Sequence, residues 1–219
     1  MNISRRAMLA SGAGLAAFGD LLSNLGYAEE TGVKENAWKF TPVDPDKVAD
    51  YAYAQYASGG CLYGAFKGAV LAYADAVEST DAEAAKIARS CPFVAFRCAR
   101  GGFGRLRELC GAVAGSVMFF SCFCEDAADV NAMAAELGEW AKKTALPTYV
   151  PEKDEHPNLF QFVANGLTCR EMGAGWVGAA PEEQKKWAGE RCARHTASIV
   201  KKAAEILNAF FAEKAKANA

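Results

Sequence analysis

The C-terminal segment carries one long helical stripe, which constrains the fold more than any other feature of the sequence. Between Pro181 and about Lys214, apolar and small residues recur every three or four positions, and acidic residues fill the first turn. The residues on this face are Cys192, Thr196, Ile199, Ala203, Ile206 and Phe210. This is the period of one face of an α-helix, and a helix with one apolar side buries that side against other elements.

The preceding segments also have helical patterns. Alanine is frequent and β-branched runs are scarce, which favours helix over strand. Asp44 can cap a first helix that Pro45 begins, and Thr80 and Glu83 have the spacing of a capping box. The predicted helices cover residues 44–77 (with a possible break at 58–60), 81–90, 106–123 and 126–143, with short helices at 159–163 and 168–172.

These patterns together predict an all-α fold. We expect a helical bundle of about four longer helices plus short helices, with a glycine-rich loop around Gly101, Gly102 and Gly104. The 219 residues are enough for one domain with a sizeable core. With a net charge of −2, the chain lacks the excess of basic residues that is typical of nucleic-acid-binding proteins. We therefore expect no nucleic-acid partner.

The N-terminus has the pattern of an export signal. Arg5 and Arg6 precede a weakly apolar stretch, and Gly26 and Ala28 are small residues in the positions before a cleavage site. This predicts a twin-arginine signal peptide that is cleaved after Ala28 and a periplasmic protein. A retained anchor is the alternative, although no uncharged apolar run is long enough to span a membrane. The twin-arginine route carries folded proteins, so the leader favours a bound cofactor.

The predicted organisation therefore has three parts. Residues 1–28 are the twin-arginine signal peptide, residues 29–43 an extended lead-in, and residues 44–219 a single helical domain. After cleavage we expect no stable membrane span.

Eight cysteines are the chemically informative residues, at positions 61, 91, 98, 110, 122, 124, 169 and 192. No pair has the CxxC spacing, and there is no CxxCH haem-attachment site. Cys61, Cys110 and Cys192 fall on the inward faces of their predicted helices, and Cys169 lies at the start of a short one. Cys110 and Cys169 lie in the first turns of their helices, where the helix dipole favours a thiolate.

Other interpretations of the cysteines and their polar neighbours stay open. An inward cysteine is often simple packing, and an even number of cysteines in an exported protein also fits disulfides. For Cys91, Cys98, Cys122 and Cys124 we expect disulfides or packing. His195 follows Cys192 by three residues and can face the same metal, or it can be a surface or capping residue.

Two further features are weaker. We expect His156 to be a solvated loop residue. Arg100, Arg105 and Arg107 near the glycine-rich loop can bind an anionic group or the acidic patch of a partner, or they are ordinary solvated charges.

Four motifs occur in the order typical of a known family. They are "GGCLYGAFKGAVLAYADA", "RGGFGRLRELCGAVAGSVMF", "LFQFVANGLTCREMG" and "GERCARHTASIVKKAAEIL". Together they resemble the C_GCAxxG_C_C family of redox-active proteins, which also includes the split-Soret cytochromes. The resemblance extends from about Tyr51 to Leu207.

The resemblance implies a helical redox domain with an iron–sulfur cluster, either [2Fe–2S] or [4Fe–4S]. Its ligands, carried over by motif, are Cys61, Cys110, Cys169 and Cys192. The chain departs from the family pattern at Leu109, which stands where a "GCA" motif has a further cysteine. The haem-attachment motifs of the split-Soret cytochromes are absent, which argues against a cytochrome.

The leading hypothesis is an exported iron–sulfur protein that acts in electron transfer or redox sensing with a redox partner protein. We find no general acid/base constellation and no nucleophile triad, so a carrier or accessory subunit fits better than a self-contained enzyme. A homodimer is compatible with the sequence. The alternatives are a cofactor-free, disulfide-stapled helical binding protein, and a thiol–disulfide redox protein that uses a pair such as Cys110 and Cys169.

Overall fold

The structure is a computed structural model that describes residues 37–217. The predicted signal peptide and the first part of the lead-in lie outside this range. The described residues form an all-α fold, as predicted, and its helices are α1 (Pro45–Gly59), α2 (Cys61–Val77), α3 (Ala82–Arg89), α4 (Gly111–Ser121), α5 (Ala127–Lys143), α6 (Gly175–Ala179) and α7 (Ala188–Ala217).

Shorter turns of helix link these elements. Two 3₁₀ segments span Phe93–Ala99 and Glu182–Trp187, and a π-helical turn spans Arg170–Ala174. Within residues 37–217 the only β-type pairs are isolated antiparallel bridges, Leu109 with Thr168 and Leu146 with Phe162.

The helix predicted for residues 44–77 is broken at Gly60, so five longer helices replace the four that we predicted. Gly60 has a φ of 87°, a left-handed conformation that glycine adopts without steric cost. Its N–H donates to the carbonyl of Tyr56 at 2.7 Å and closes α1. The chain then reverses, and α2 packs along α1 as a tight helical hairpin.

The predicted start of the third helix at Leu106 is wrong, because α4 begins only at Gly111. Arg105 and Arg107 have φ values of 65° and 63°, which interrupt any helix. The next residues are extended, since Leu109 pairs with Thr168.

Three further helix predictions need correction. The cap of α3 is Asp81 and not Thr80, because the Asp81 carboxylate accepts the N–H of Ala84 at 2.9 Å. Residues 159–163 are not a helix, since Phe162 exchanges backbone hydrogen bonds of 3.0 and 2.9 Å with Leu146. The last helix begins at Ala188, after a 3₁₀ segment, rather than near Pro181.

The core forms around α7, as its stripe predicts. This helix packs against α1, α2, α4 and α5. Its buried side contains Ile199, Val200, Ala203, Ala204 and Leu207, each with 0% exposure. None of the helices in the described part of the chain has the length and apolarity needed to cross a membrane.

Candidate metal centre

The four cysteines carried over by motif come from four different elements. Cys61 is the first residue of α2, Cys110 directly precedes α4, Cys169 directly precedes the π-helical turn, and Cys192 lies near the start of α7. The Cys192 sulfur is hydrogen-bonded to Cys61, and it is near enough to Cys110 and Cys169 for its charge to act on both thiols. The fold therefore brings the four cysteines into one neighbourhood around Cys192.

Cys192 is the most acidic thiol of this group. The hydrogen bond from Cys61, the charge of Arg191 and the hydrogen bonds from Arg191 and Tyr56 together lower its pKa to about 6, against the opposing effect of burial. The Cys61 thiol shows the complementary change, because its hydrogen bond to Cys192 and its burial raise its pKa well above the usual value. At neutral pH this pair holds one thiolate and one thiol.

The other two cysteines are less acidic than their helix-start positions predict. The Cys110 sulfur accepts hydrogen bonds from the N–H groups of Ala112 and Val113, as expected at a helix start, but its burial raises the pKa to about 11. Burial also raises the pKa of Cys169, and Arg107 offsets part of this increase. The predicted activation was wrong in direction, because desolvation of a thiolate outweighs the helix dipole at both sites.

Two buried basic side chains adjoin the cysteines. Arg191 is 1% exposed, and its Nη1 lies 3.9 Å from the Cys192 sulfur. His195 is 2% exposed, and its Nε2 lies 3.7 Å from the Cys110 sulfur. Burial and the charge of Arg191 hold the pKa of His195 well below its usual value, so the imidazole is neutral.

Both side chains have polar atoms without a partner. Among the described residues, nothing accepts a hydrogen bond from Nε or Nη2 of Arg191, and nothing pairs with Nδ1 of His195. Trp176 lies under the guanidinium, with its ring centroid 5.8 Å from the Arg191 Cζ. Sequence reasoning missed Arg191 entirely, and His195 is buried rather than at the surface.

The neighbouring Arg194 shows what a paired buried arginine looks like in this fold. It is 2% exposed, and its guanidinium donates to Asp154 at 2.5 Å and to Glu190 at 2.6 Å. Arg191 lies one turn earlier on α7 and has no carboxylate among its described neighbours. Its positive charge faces the cysteines instead.

The glycine-rich loop covers the site. Gly102 has a φ of 72°, and a Cβ placed there would lie 2.8 Å from the Cβ of Cys169. The Cys169 N–H donates to the carbonyl of Glu108 at 2.6 Å, and the Arg170 N–H donates to that of Arg107 at 3.2 Å. The loop backbone is thereby fixed against the segment that carries Cys169.

All eight cysteines fall in the described range, and each is a free thiol. Cys122 and Cys91 are close enough for the charge of Cys91 to act on Cys122, whereas Cys98 is exposed. Within residues 37–217, no group of three His, Cys, Asp or Glu side chains is arranged to hold a single metal ion. His156 is partly buried and stacks on Trp187 with ring centroids 4.4 Å apart, so it is not the solvated residue that we expected.

Comparisons with known proteins agree on one family. Residues 69–206 match the family described as "Putative redox-active protein (C_GCAxxG_C_C)". The chain belongs to this family, as its motifs predict. Cys110, Cys169 and Cys192 lie inside the matched range, and Cys61 lies just before it.

Two further comparisons identify the same relative. The chain is 28% identical over 228 residues to the split-Soret cytochrome c of Desulfovibrio desulfuricans, with 95% of this chain and 78% of the relative covered. A solved structure described as "A novel iron centre in the split-Soret cytochrome c from Desulfovibrio desulfuricans ATCC 27774" has a TM-score of 0.68 and 25% identity. That likeness covers 86% of this chain and 77% of the other.

Proposed function

We propose that this redox-active family member is an exported iron–sulfur protein that transfers electrons or senses redox state. Its cluster would be held by Cys61, Cys110, Cys169 and Cys192. The observation that supports this most is Arg191, a buried cation beside the Cys192 sulfur with two hydrogen-bond donors that no described residue satisfies.

The free energy of burial explains why this observation points to a bound anion. The Cys192 thiolate balances part of the Arg191 charge, but the two buried donors without a hydrogen bond are still unfavourable. A cluster held by four thiolates carries net negative charge, and its sulfurs accept hydrogen bonds from the surrounding protein. The free donors of Arg191 match these two properties, and Nδ1 or Nε2 of His195 can donate one more.

The cysteines themselves fit a polynuclear group better than a single ion. No three potential ligands converge on one point in the described chain, yet the other three cysteines all lie near Cys192. In a cluster the ligand sulfurs bind different irons and stand farther apart than around one ion. The iron centre described for the split-Soret relative supports iron as the metal.

When bound, an iron–sulfur cluster supplies a one-electron redox centre. The protein's own residues would tune this redox centre. The charge of Arg191 would lower the free-energy cost of adding an electron, and buried Cys110 would shield one side of the centre from water. Cys61, Cys169 and Cys192 are partly exposed, so the centre would lie near the surface, where a partner protein can dock. The twin-arginine leader predicted from the sequence supports a periplasmic location for this exchange.

The test is anaerobic purification from cells that build iron–sulfur clusters, followed by iron and sulfide analysis and a visible spectrum. We expect iron and acid-labile sulfide with absorption in the visible range. Cys192→Ser should lose most of the iron, whereas the matched control Cys98→Ser, at an exposed cysteine outside the group, should keep it. A colourless, iron-free wild-type protein would overturn the proposal.

A second candidate function rests on the contact between Cys61 and Cys192. A thiol hydrogen-bonded to an acidic neighbour is the arrangement of a thiol–disulfide exchange pair, and here the pair is not the Cys110 and Cys169 that the sequence suggested. In this function Cys61 and Cys192 of the metal-free protein form one disulfide, and their two electrons and two protons reduce the disulfide of a partner to two thiols. Thiol titration before and after mild oxidation, with Cys61→Ser as the control, separates this function from metal binding.

A further inference from the structure

We propose that the exposed face of the glycine-rich loop is a docking surface for an acidic electron-transfer partner. The kind of partner rests on the proposed redox function. The position of the docking site rests on the surface itself. This arginine surface consists of Arg100, Arg105, Arg107 and Arg170 around the apolar side chains of Phe103, Leu106 and Leu109.

The surface combines charge with exposed apolar area. The exposed fractions of Phe103, Leu106 and Leu109 are 42%, 68% and 41%, and these residues are among only eight large exposed apolar residues in the described chain. All four arginines are exposed, and the nearby acidic residues are Glu108 and Glu171. The local charge is therefore positive, although the whole chain carries −2. An apolar centre with a charged rim is typical of protein interfaces.

The backbone holds these residues together. Arg105 donates to the carbonyl of Arg100 at 3.1 Å, Arg107 to that of Gly101 at 3.1 Å, and Arg170 to that of Arg107 at 3.2 Å. Leu109 joins the same patch through its bridge to Thr168. The surface is thus preformed, which reduces the entropy lost when a partner binds.

The arginine surface also covers the cysteine group. The Cγ of Arg100 lies 2.9 Å from the position of a Cβ on Gly60, the residue before Cys61. Glu108, the residue after Arg107, accepts the N–H of Cys169 through its carbonyl at 2.6 Å. A partner docked here would approach the redox centre across a single layer of loop.

An acidic partner fits this surface better than a second copy of the chain. A twofold interface places a patch against itself, so the arginines of one copy would face those of the other. Like charges across an interface are unfavourable, whereas opposite charges steer the partner and raise the association rate. The expected contact is small and transient, as in other electron-transfer complexes.

The first test measures electron transfer to small oxidants of opposite charge. One electron passes from the reduced protein to tris(oxalato)cobaltate(III), an anion, or to hexaamminecobalt(III), a cation, and the cobalt is reduced to cobalt(II). The variant R105E/R107E removes the positive field, and its matched control K143E/K216E makes the same charge change at exposed lysines of α5 and α7. Because Arg and Glu both carry a Cβ, the backbone strain from the positive φ values at positions 105 and 107 is the same in the wild type and in the variant.

At about 10 mM salt, where the Debye length is about 30 Å, R105E/R107E should react about tenfold more slowly with the anion and faster with the cation. At about 1 M salt the differences should vanish. The control should follow the wild type with both oxidants. Equal effects of the two double variants would overturn the proposal.

The second test needs no redox centre and separates the two proposals. Fluorescein-labelled poly-L-glutamate is titrated with the full chain, and its anisotropy reports binding. Wild type and K143E/K216E should bind, and R105E/R107E should lose at least tenfold in affinity. If the protein holds no iron, the proposed function fails, and this titration alone tests the docking surface. Equal binding of poly-L-glutamate by both double variants would overturn the docking proposal.

Discussion

Nη1 of Arg191 lies 3.9 Å from the sulfur of Cys192, while Nε and Nη2 of the same guanidinium have no partner among the described residues. Arg191→Met keeps the apolar stem and removes the charge. In the metal-free protein we expect the unfolding free energy to change by less than about 1 kcal/mol, because the substitution removes both the attraction to the Cys192 thiolate and the cost of two buried donors without a partner. In the iron-loaded protein it should weaken iron retention and lower the midpoint potential, by roughly 60 mV for each tenfold difference in affinity between the two oxidation states.

Urea denaturation and redox titration measure these effects. The comparison variant is Arg194→Met, which leaves Asp154 and Glu190 without their partner and should destabilise both forms by about 3 kcal/mol. If Arg191→Met destabilises the metal-free protein as much as Arg194→Met does, the Cys192 thiolate pairs with Arg191 as fully as the two carboxylates pair with Arg194, and no bound anion is needed.

Gly111 sets the distance between α4 and α2. A Cβ at this position would lie 2.8 Å from the backbone N of Leu62 and 3.1 Å from the Cβ of Cys61, so Gly111→Ala must push the two helices apart. We expect a loss of about 1 to 3 kcal/mol in unfolding free energy and a lower iron content, because Cys110 moves away from Cys61. Gly178→Ala is the control, since no atom lies within 4 Å of its added Cβ. Iron analysis showing equal iron in both variants would contradict this assignment.

Gly68 serves the hairpin between α1 and α2. Its added Cβ would lie 2.4 Å from the backbone N of Ala52 and 2.6 Å from the Ala52 Cα, and backbone atoms cannot move aside as a flexible side chain does. Gly68→Ala should therefore lower the unfolding free energy by about 1 to 3 kcal/mol. Thermal unfolding alongside Gly178→Ala measures the difference, and a melting temperature equal to that of the control would show that the hairpin is looser than described.

The carboxylate of Asp75 on α2 contacts residues of both α1 and α3. Its carboxylate pairs with Lys47 of α1 at 2.7 Å and Arg89 of α3 at 2.9 Å, and it accepts the Tyr51 hydroxyl at 2.7 Å. The hydrogen bonds from Lys47 and Tyr51 lower its pKa to about 2. Since the folded pKa lies below the unfolded value of about 3.9, the carboxylate stabilises the fold above about pH 4. That contribution disappears as the pH falls to about 2.

Asp75→Asn should therefore cost about 1 kcal/mol at pH 7, after allowance for solvent screening, and nothing near pH 2. Urea denaturation across this pH range tests the sign. Glu83→Gln is the control, because Glu83 and Lys86 are 70% and 77% exposed and their pair contributes little. A constant difference between wild type and Asp75→Asn from pH 7 to pH 2 would contradict the charge-based explanation.

Local patterns predicted much of this fold. The apolar stripe on α7 could be predicted because its period is that of the helix itself. Ile199, Ala203 and Ile206 on this stripe are buried as expected. The inward orientation of Cys61 and Cys110 followed from small residues at helical spacing in the sequence. The family motifs identified the same two cysteines along with Cys169 and Cys192.

Long-range contacts determined the rest. Residues 106–110 are compatible with helix until Thr168, far along the chain, pairs with Leu109. No local pattern marks Arg191, which is buried with Trp176 of α6 packed beside it. The predicted acidity of Cys110 failed for the same reason, since burial depends on neighbours that a helix-start argument does not include.

The four cysteines are separated by 49, 59 and 23 residues along the chain, and each comes from a different element. No fragment of the chain can therefore assemble the group, because an unfolded polypeptide would have to close three long loops at once. A cofactor that binds only the packed bundle stabilises it by mass action, and its release removes that stabilisation. On the proposed assignment, the packed bundle is therefore most stable in the molecules that hold the cofactor, and the whole domain loses stability when the cofactor leaves.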